Sequence, residues 1–216
     1  MSSREESRAG PGRRRRRTPE AAQREIVEAA QALLRERPFR ELTVDDLMRR
    51  TGLSRPSFYV YFRDRHDLVL KVVEHIGGEL FSMSERWYDG TGDGPAMVRE
   101  AIDGVVGVFA AHGPVLRALS DAASDDQRVE AAYLALLQRF VDATARHIEE
   151  EVAAGRVLPL DPVPTATALT WMMERYLQLQ LGRADGEPPV DSARETLTTI
   201  WSRVLYGSPA GQSSSD

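Results

Sequence analysis

The sequence predicts an all-α protein of nine helices, in which a small N-terminal three-helix unit precedes a larger helical body. Apolar residues recur every three or four positions in one segment after another, which is the periodicity of amphipathic helices. Capping residues, prolines and glycines mark the ends of these segments. No segment shows the alternation of polar and apolar residues that is typical of a half-buried strand.

The first predicted helix begins after Thr18 and runs to about Arg35. Thr18 is a capping residue, and Pro19 occupies the first helical position, where a missing N–H has little cost. Pro38 ends the segment. The predicted buried stripe of this helix consists of Ile26, Ala29, Ala30, Leu33 and Leu34.

Two short helices separated by a glycine turn follow, and they form the most informative pattern of the chain. Thr43 caps the first of them, Asp46 lies in its first turn, and Gly52 can adopt a positive φ where it ends. Ser54 caps the second, and Pro56 lies in its first turn. This spacing predicts a helix-turn-helix, whose second helix has the size that fits the DNA major groove.

The outward face of the second short helix has the chemistry of a DNA-reading surface. Leu53, Phe58 and Phe62 are expected to pack inward, which leaves an arginine, hydroxyls and phenols facing outward. These groups bond phosphates and base edges. A helical hairpin of purely structural use is the alternative. The residues predicted to contact DNA from this helix are Ser54, Arg55, Pro56, Ser57, Tyr59 and Tyr61.

Residues 1–17 lack periodicity and are predicted to form a disordered arm. The arm ends in five consecutive arginines, which are Arg13, Arg14, Arg15, Arg16 and Arg17. They could be a solvated charge run, or they could contact phosphates or the adjacent minor groove. Residues 1–65 carry a balance of +6 and residues 66–216 a balance of −11, within a net charge of −5. This asymmetry fits a protein that presents its N-terminal end to a polyanion.

The body is predicted to contain the remaining six helices. The fourth follows the capping residue Asp64 and runs from Arg65 to about Tyr88, and a glycine-rich loop over 89–95 comes next. The fifth and sixth are predicted over about 96–111 and 114–123, because Gly113 and Pro114 are expected to end the fifth. A seventh, long helix is predicted over about 126–154.

The last two helices are predicted over about 163–181 and 191–206, with turns at 158–164 and 185–190 and a disordered tail from Gly207. The eighth helix is apolar almost all round, so it must be covered on several sides. Both helices are too apolar for the surface of a monomer. We therefore expect them to pair with their copies across a two-fold axis, although they could instead only complete the monomer core.

Large aromatic and sulfur-containing side chains from the fifth, seventh, eighth and ninth helices are expected to converge in the body. They are Phe109, Tyr133, Phe140, Trp171, Met172, Met173 and Trp201. They either fill a core or surround an apolar cavity, in which Thr144 and Thr170 could anchor a ligand.

The segment from Thr43 to Arg65, T-V-D-D-L-M-R-R-T-G-L-S-R-P-S-F-Y-V-Y-F-R-D-R, resembles the DNA-binding domain of the TetR family of bacterial repressors. This resemblance covers roughly residues 20–80. Shorter pieces of the body are similar to the ethionamide-resistance repressor group of that family. These pieces are Met173-Glu174-Arg175, His112 with Val115 and Arg117, Ile200-Trp201, and Leu205-Tyr206-Gly207.

The resemblance implies a dimer whose body encloses a pocket for a small inducer. It implies that Thr43, Tyr61 and Arg65 hold phosphates, while Arg55, Ser57 and Tyr59 read base edges. The pocket lining that the resemblance implies is Val98, Val105, Phe109, Leu137, Phe140, Thr144, Thr170, Met173 and Trp201, to which we add Tyr133, Trp171 and Leu177. The repressor group has asparagine where this chain has Thr170 and Met173, so we expect an elongated and less polar ligand.

Other classes of protein fit the sequence poorly. The chain has no cysteine, no apolar run near the roughly 18 residues that span a bilayer, and no signal-peptide core, so we expect a cytoplasmic protein without a membrane partner. His147 and Glu150 are three residues apart but lack a second pair, so neither a metal nor a cofactor is predicted. Glu174 and Arg175 interrupt the apolar eighth helix and are expected to form ion pairs, either within the chain or across the dimer.

We therefore predict a dimeric DNA-binding transcriptional regulator, a repressor that a small apolar inducer releases from double-stranded operator DNA. The predicted domains are the arm 1–17, a helix-turn-helix domain 18–63, a ligand-binding and dimerisation domain 64–206, and the tail 207–216. A helical enzyme or ligand carrier is the alternative, but no nucleophile or acid–base pair in the sequence supports an enzyme.

Overall fold

The computed structural model describes residues 18–90, 92–157, 159–182 and 188–207. This part of the chain is helical and contains no strand, which confirms the predicted all-α class. A short 3₁₀ turn, Phe39–Glu41, lies between the first two of its eight α-helices. The helices are α1 Pro19–Glu36, α2 Val44–Thr51, α3 Arg55–Tyr61, α4 Arg65–Tyr88, α5 Gly94–Asp125, α6 Gln127–Ala153, α7 Pro162–Leu181 and α8 Val190–Tyr206.

Several predicted features lie wholly or partly outside the described residues. The arginine arm at 1–17 and the tail beyond Gly207 are among them. Parts of the loop at 89–95 and of the predicted turns at 158–164 and 185–190 also lie outside.

The predicted division between the fifth and sixth helices is wrong. Gly113 and Pro114 lie inside α5, which continues for 32 residues. Both halves of α5 contribute fully buried residues, such as Val106 and Val115, so a continuous helix keeps both packed against the body. Gly113 is needed because α7 ends against it: a Cβ at this position would lie 2.0 Å from the carbonyl oxygen of Leu181. Packing thus outweighs the hydrogen bond that the proline removes.

Three helix starts and one helix end agree with the sequence signals. The hydroxyl of Thr18 accepts the N–H of Ala21 at 3.2 Å, and the hydroxyl of Thr43 accepts the N–H of Asp46 at 3.2 Å. Asp64 Oδ1 accepts the N–H of His66 at 2.8 Å. Gly52 ends α2 with a φ of 67°, a left-handed conformation that glycine adopts without steric cost.

Helix α4 connects the N-terminal helices to the body. Its 24 residues correspond to a length of about 36 Å at ~1.5 Å per residue. It packs against α1 as well as against α5 and α6, and its buried residues extend from Leu68 to Trp87. A displacement of either end can therefore be transmitted along one continuous helix.

Helix α5 forms the centre of the body and packs against α4, α6, α7 and α8. Within the described residues it is the one helix long and apolar enough to cross a membrane by length and composition. Its apolar residues, including Val98, Val105 and Leu119, are buried against the neighbouring helices, as in the core helix of a helical bundle.

Candidate DNA-binding surface and ligand cavity

Helix α3 presents a polar and partly aromatic face to solvent. Phe58 and Phe62 are buried and Leu53 is half-buried, as the sequence predicts. Tyr59 is 50% exposed, and the neighbouring Val60 is 75% exposed. The remaining predicted contacts of this helix, apart from the half-buried Ser57 and Tyr61, are exposed. The face is therefore available to a partner along most of the helix.

The guanidinium of Arg55 is held in place by two neighbours. Its Nη1 donates a hydrogen bond to Asp45 Oδ1 at 2.8 Å, and its Nη2 donates to the Tyr59 hydroxyl at 3.4 Å. The contact with Asp45 of α2, which sequence reasoning did not identify, orients Arg55 across the turn. A phosphate or a base edge that binds Arg55 must therefore either displace the exposed carboxylate of Asp45 or bind to the N–H groups of Arg55 that Asp45 leaves free.

The hydroxyls predicted to contact DNA also serve the local fold. Ser54 Oγ lies 2.8 Å from Ser57 Oγ and accepts the N–H of Ser57. Thr43 donates to Asp46 Oδ2 at 2.6 Å, and this hydrogen bond holds the pKa of the Asp46 carboxyl below its ordinary value. These hydroxyls fix the first turns of α2 and α3 beside the surface that would approach the duplex.

Arg65 has a structural role that the sequence did not reveal. Its Nη1 donates to the backbone carbonyls of Arg40 at 3.1 Å and Leu42 at 3.0 Å. Its guanidinium also lies 4.9 Å from the centre of the Phe39 ring, within the range of a cation–π contact. Arg65 therefore fastens the start of α4 to the segment before α2, and only its remaining N–H groups are free to contact a phosphate.

Two small, apolar cavities lie next to each other inside the body. Their volumes are about 20 Å³ and about 50 Å³. Four residues line both of them, namely Val105, Phe140, Thr170 and Met173. Met173 has a flexible side chain, so a change in its rotamer could join the two spaces.

The smaller cavity contains polar groups without partners. Thr170 Oγ1 and Trp201 Nε1 are buried and form no hydrogen bond with the described residues. The hydroxyl of Tyr88, which also lines this cavity, interacts with Thr144 and Ser84, and burial raises the pKa of Tyr88. Because an unpaired buried donor is costly, this end of the body suits a ligand with a hydrogen-bond acceptor.

Two of the residues that line the larger cavity, Tyr133 and Glu174, have ionisable side chains. The hydroxyl of Tyr133 donates a hydrogen bond to Glu174 Oε1 and accepts one from Gln178 Nε2 at 2.8 Å. Burial and the adjacent Glu174 carboxylate raise the pKa of Tyr133, so its hydroxyl stays protonated. Glu174 was expected to form an ion pair; among the described residues it accepts this hydroxyl and has no cation within 4.0 Å.

Two family models match the chain. The model of bacterial regulatory proteins of the tetR family matches residues 26–72, and that of the C-terminal domain of the transcriptional regulator EthR matches residues 98–207. The HTH-type transcriptional regulator EthR of Mycolicibacterium smegmatis is 31% identical over 98% of this chain and 99% of its own length. EthR of Mycobacterium tuberculosis is 33% identical over 91% of this chain and 94% of its own length.

The chain belongs to the TetR family. Within that family it falls in the EthR-like group, as the resemblance in the sequence predicted. It is a transcriptional regulator with an N-terminal DNA-binding domain and a C-terminal ligand-binding domain, and its relatives are named as regulators rather than enzymes.

Solved structures agree on the fold. A TetR-family regulator from Syntrophomonas wolfei has a TM-score of 0.74 at 16% identity, covering 86% of this chain and 95% of its own. AibR, solved in complex with isovaleryl coenzyme A and operator DNA, has a TM-score of 0.65 at 13% identity, covering 86% of this chain and 98% of its own.

Most of the predicted ligand-binding residues of this TetR-family chain line one of the two cavities. They are Val98, Val105, Phe109, Tyr133, Leu137, Phe140, Thr144, Thr170, Met173 and Trp201. Two predicted residues lie elsewhere. Trp171 is 42% exposed, because it is turned away from the face of α7 that carries Thr170 and Met173. Leu177 is fully buried and lines neither cavity.

Helix α4 contributes cavity residues that the sequence analysis missed. Leu80, Ser84, Trp87 and Tyr88 line one cavity or the other. The spacing of Leu80, Ser84 and Trp87 is that of one helical face, and periodicity alone does not show that such a face meets a cavity. The other missed lining residues are Ala101, Ile102, Leu116, Leu136 and Glu174.

Proposed function

We propose that the chain is a dimeric, cytoplasmic repressor that binds operator DNA through α3 and releases it when a small, largely apolar ligand binds in the body. One observation carries this proposal. The same helix, α4, starts directly after the DNA-reading unit and lines the cavities with its C-terminal half. A ligand and a DNA duplex would therefore act on opposite ends of one helix.

The DNA-binding half of the proposal rests on the surface chemistry of α3. Arg55, Ser57 and Tyr59 would read base edges, and Thr43, Tyr61 and the remaining N–H groups of Arg65 would hold phosphates. The arginines at 13–17 would add contacts that do not depend on sequence. The DNA-binding domain would comprise residues 18–63. The ligand-binding and dimerisation domain would comprise residues 64–206. The fold neighbour AibR, solved with operator DNA, is consistent with this use of the fold.

The dimer would form through α7 and α8. Four large apolar residues of these two helices are exposed in the single chain, namely Val163, Trp171, Leu179 and Val204. Covering them with the same helices of a second copy would remove this apolar surface from water and place two α3 helices on one duplex. The dimer gives Trp171 a role on the interface face of α7.

The ligand would have to enlarge the cavities that it occupies. Pockets for small molecules usually measure about 300–1,000 Å³, well above the roughly 20 and 50 Å³ present here. The ligand would therefore displace Met173 and neighbouring side chains, including those of α4. If the ligand prefers the displaced arrangement, it shifts the population toward it. The two α3 helices would then no longer match half-sites about 34–36 Å apart.

Neutral n-alkanols of increasing length can test this function, with a labelled duplex from the upstream region of the chain's own gene. Alkanol affinity, measured by calorimetry, should rise about four-fold for each methylene that is buried, since each contributes about 0.8 kcal/mol. Fluorescence anisotropy should show release of the duplex over the same concentrations. If the DNA affinity stays the same when alkanol is bound at saturation, the proposed release of DNA by a ligand is contradicted.

Two threonines of α7 provide a matched pair of variants for this experiment. Thr170→Val removes the unpartnered hydroxyl of the cavity and should weaken alkanol binding by about 0.5–1.5 kcal/mol. Thr167 is exposed, and its hydroxyl donates to the Val163 carbonyl at 2.8 Å. Thr167→Val should leave alkanol affinity unchanged. Equal effects of the two substitutions would place the alkanol outside the cavity.

A further inference from the structure

The carboxylate of Glu174 lines a cavity that is otherwise mostly apolar. Of the residues that line the larger cavity, Glu174 is the one with a charged side chain, and the others are apolar except for Thr170 and Tyr133. Glu174 is half-buried, so it has already lost part of its hydration. Removing water from a carboxylate is costly unless a donor or a cation replaces that water.

The described part of the chain neutralises this carboxylate only in part. Tyr133 donates one hydrogen bond to Oε1, and Oε2 receives none from the described residues. No lysine, arginine or histidine in this part of the chain lies within 4.0 Å of Glu174. An uncharged apolar ligand that fills the cavity would bury the charge further and gain nothing from it.

Three aromatic residues share the cavity with the carboxylate, and one of them, Tyr133, is hydrogen-bonded to it. Phe109, Phe140 and Tyr133 line the same cavity. The faces of such rings attract ammonium groups, and several rings together with a carboxylate form the type of site that binds quaternary ammonium ions. The combination of these groups points to a positively charged ligand group.

We propose that the larger cavity recognises lipophilic cations, meaning amines or quaternary ammonium compounds with an apolar tail, through the Glu174 carboxylate. This inference rests on the proposed function, since it specifies the ligand of the same cavity. The ammonium group lies against Oε2 of Glu174 and the aromatic rings. The tail passes Met173 toward the smaller cavity, where a hydrogen-bond acceptor on the ligand can pair with Thr170 Oγ1 and Trp201 Nε1.

Glu174 also has a structural function, because it orients Tyr133. The variant Glu174→Gln separates this function from the charge. A glutamine amide has nearly the same shape, and its oxygen can still accept the Tyr133 hydrogen bond. Glu149→Gln is a matched control, since Glu149 is an exposed glutamate of α6 that lines neither cavity.

The test compares an n-alkyltrimethylammonium ion with the n-alkanol of the same chain length, both below their micelle-forming concentrations. Calorimetry on the full chain should show that the ammonium ion binds about ten-fold or more tightly than the alkanol. Glu174→Gln should remove this preference and keep alkanol binding, while Glu149→Gln should keep both. Equal binding of the two probes to the wild-type chain, or a preference that survives in Glu174→Gln, overturns the inference.

A second variant checks that charge, and not the hydrogen-bond network, is responsible. Tyr133→Phe keeps the ring and frees Oε1, so the ammonium preference should persist or increase. If Tyr133→Phe loses the preference for the ammonium ion as completely as Glu174→Gln does, the assignment of this preference to the carboxylate is overturned.

DNA release, recorded in parallel, separates the inference from the proposed function. An alkanol that binds and releases the duplex without any ammonium preference overturns the inference alone. An ammonium ion that binds with a Glu174-dependent preference but leaves the duplex bound supports the inference and contradicts the regulatory function. If neither probe binds, both are overturned.

Discussion

His66 Nε2 lies 3.1 Å from Asp126 Oδ2, and this contact joins the N-terminal ends of α4 and α6. Asp126 caps α6, with its Oδ1 accepting the N–H of Arg128 at 2.9 Å. The guanidinium of Arg128 in turn lies 3.3 Å from Asp64, the capping residue of α4. Because α6 also lines both cavities, these contacts tie the ligand-binding body to the first turn of α4, directly after α3.

Removing the nitrogens of His66 should weaken the effect of a ligand on DNA binding. His66→Phe keeps a ring beside Phe39, which His66 now meets edge-on at 5.1 Å, and removes the contact with Asp126. Stability should fall by about 0.5–1.5 kcal/mol, the usual net contribution of one hydrogen bond, because both side chains are half-buried. Saturating alkanol should weaken DNA binding by the variant less than it weakens binding by the wild-type chain. Anisotropy measurements should show that the two losses in binding free energy differ by about 1 kcal/mol or more. An unchanged drop would show that coupling takes another route.

Gly113 should be intolerant of a side chain. A Cβ at this position would meet the Leu181 carbonyl carbon at 2.8 Å as well as its oxygen, and both are backbone atoms. Gly113→Ala should therefore destabilise the chain by about 1–3 kcal/mol in urea unfolding. Gly107 of the same helix has no atom of another helix within 4 Å of the place that a Cβ would take, so Gly107→Ala should stabilise by about 0.5–1 kcal/mol. Destabilisation by both would refute the close packing of α5 and α7.

Trp171 should be required for dimer formation. Trp171→Glu places a charge on the exposed face of α7, and burying it across a two-fold axis would be unfavourable. Sedimentation should show mainly monomer at concentrations at which the wild-type chain is dimeric. Leu134 of α6 is 44% exposed, close to the 42% of Trp171, so Leu134→Glu is the matched control and should remain dimeric. A dimeric Trp171→Glu variant would move the interface away from this face.

Stability should fall as the pH drops below the ordinary histidine pKa of about 6.5, because of His147. This side chain is buried, with its ring centre 4.3 Å from that of Trp87, and burial lowers its pKa. The unfolded chain then binds a proton that the folded chain does not, so acid favours unfolding. The stability supplied by the neutral ring is present above the unfolded pKa and is lost as the pH falls toward the folded pKa.

Urea unfolding between about pH 7 and pH 5.5, above the ordinary carboxyl range, isolates this contribution. His147→Gln should flatten the slope of stability against pH. His75→Gln, at a histidine that is exposed on α4, is the matched control. An identical slope in His147→Gln and the wild-type chain would contradict the assignment.

The parts of the fold that depend on local chemistry could be predicted from the sequence. Asp64 caps α4 through backbone N–H groups two and three residues away, so the start of that helix is visible in a short stretch of sequence. The helix end predicted at Pro114 was wrong, because the packing of distant helices against α5 decides whether a proline ends that helix.

The candidate site was predictable to a lesser extent. The polarity of α3 identified its outward face, but the engagement of Arg65 with two carbonyls follows from the path of the chain before α2. The contribution of Trp87 and Ser84 of α4 to the cavity was not predicted, since whether an inward face meets a cavity depends on how several helices are spaced. The exposed Trp171 shows the converse, because apolarity alone does not tell a lining residue from an exposed one.

Titration of the chain onto labelled DNA, with a duplex from its own upstream region and a scrambled duplex of equal length, tests the central claim most directly. Specific binding by two α3 helices predicts roughly a thousand-fold or greater preference for the upstream duplex and an even number of chains on each duplex. Tyr59→Ala should lose about 1–3 kcal/mol on that duplex alone, and Val60→Ala should lose less. Equal affinity for the two duplexes, or a single chain on each, would contradict the account.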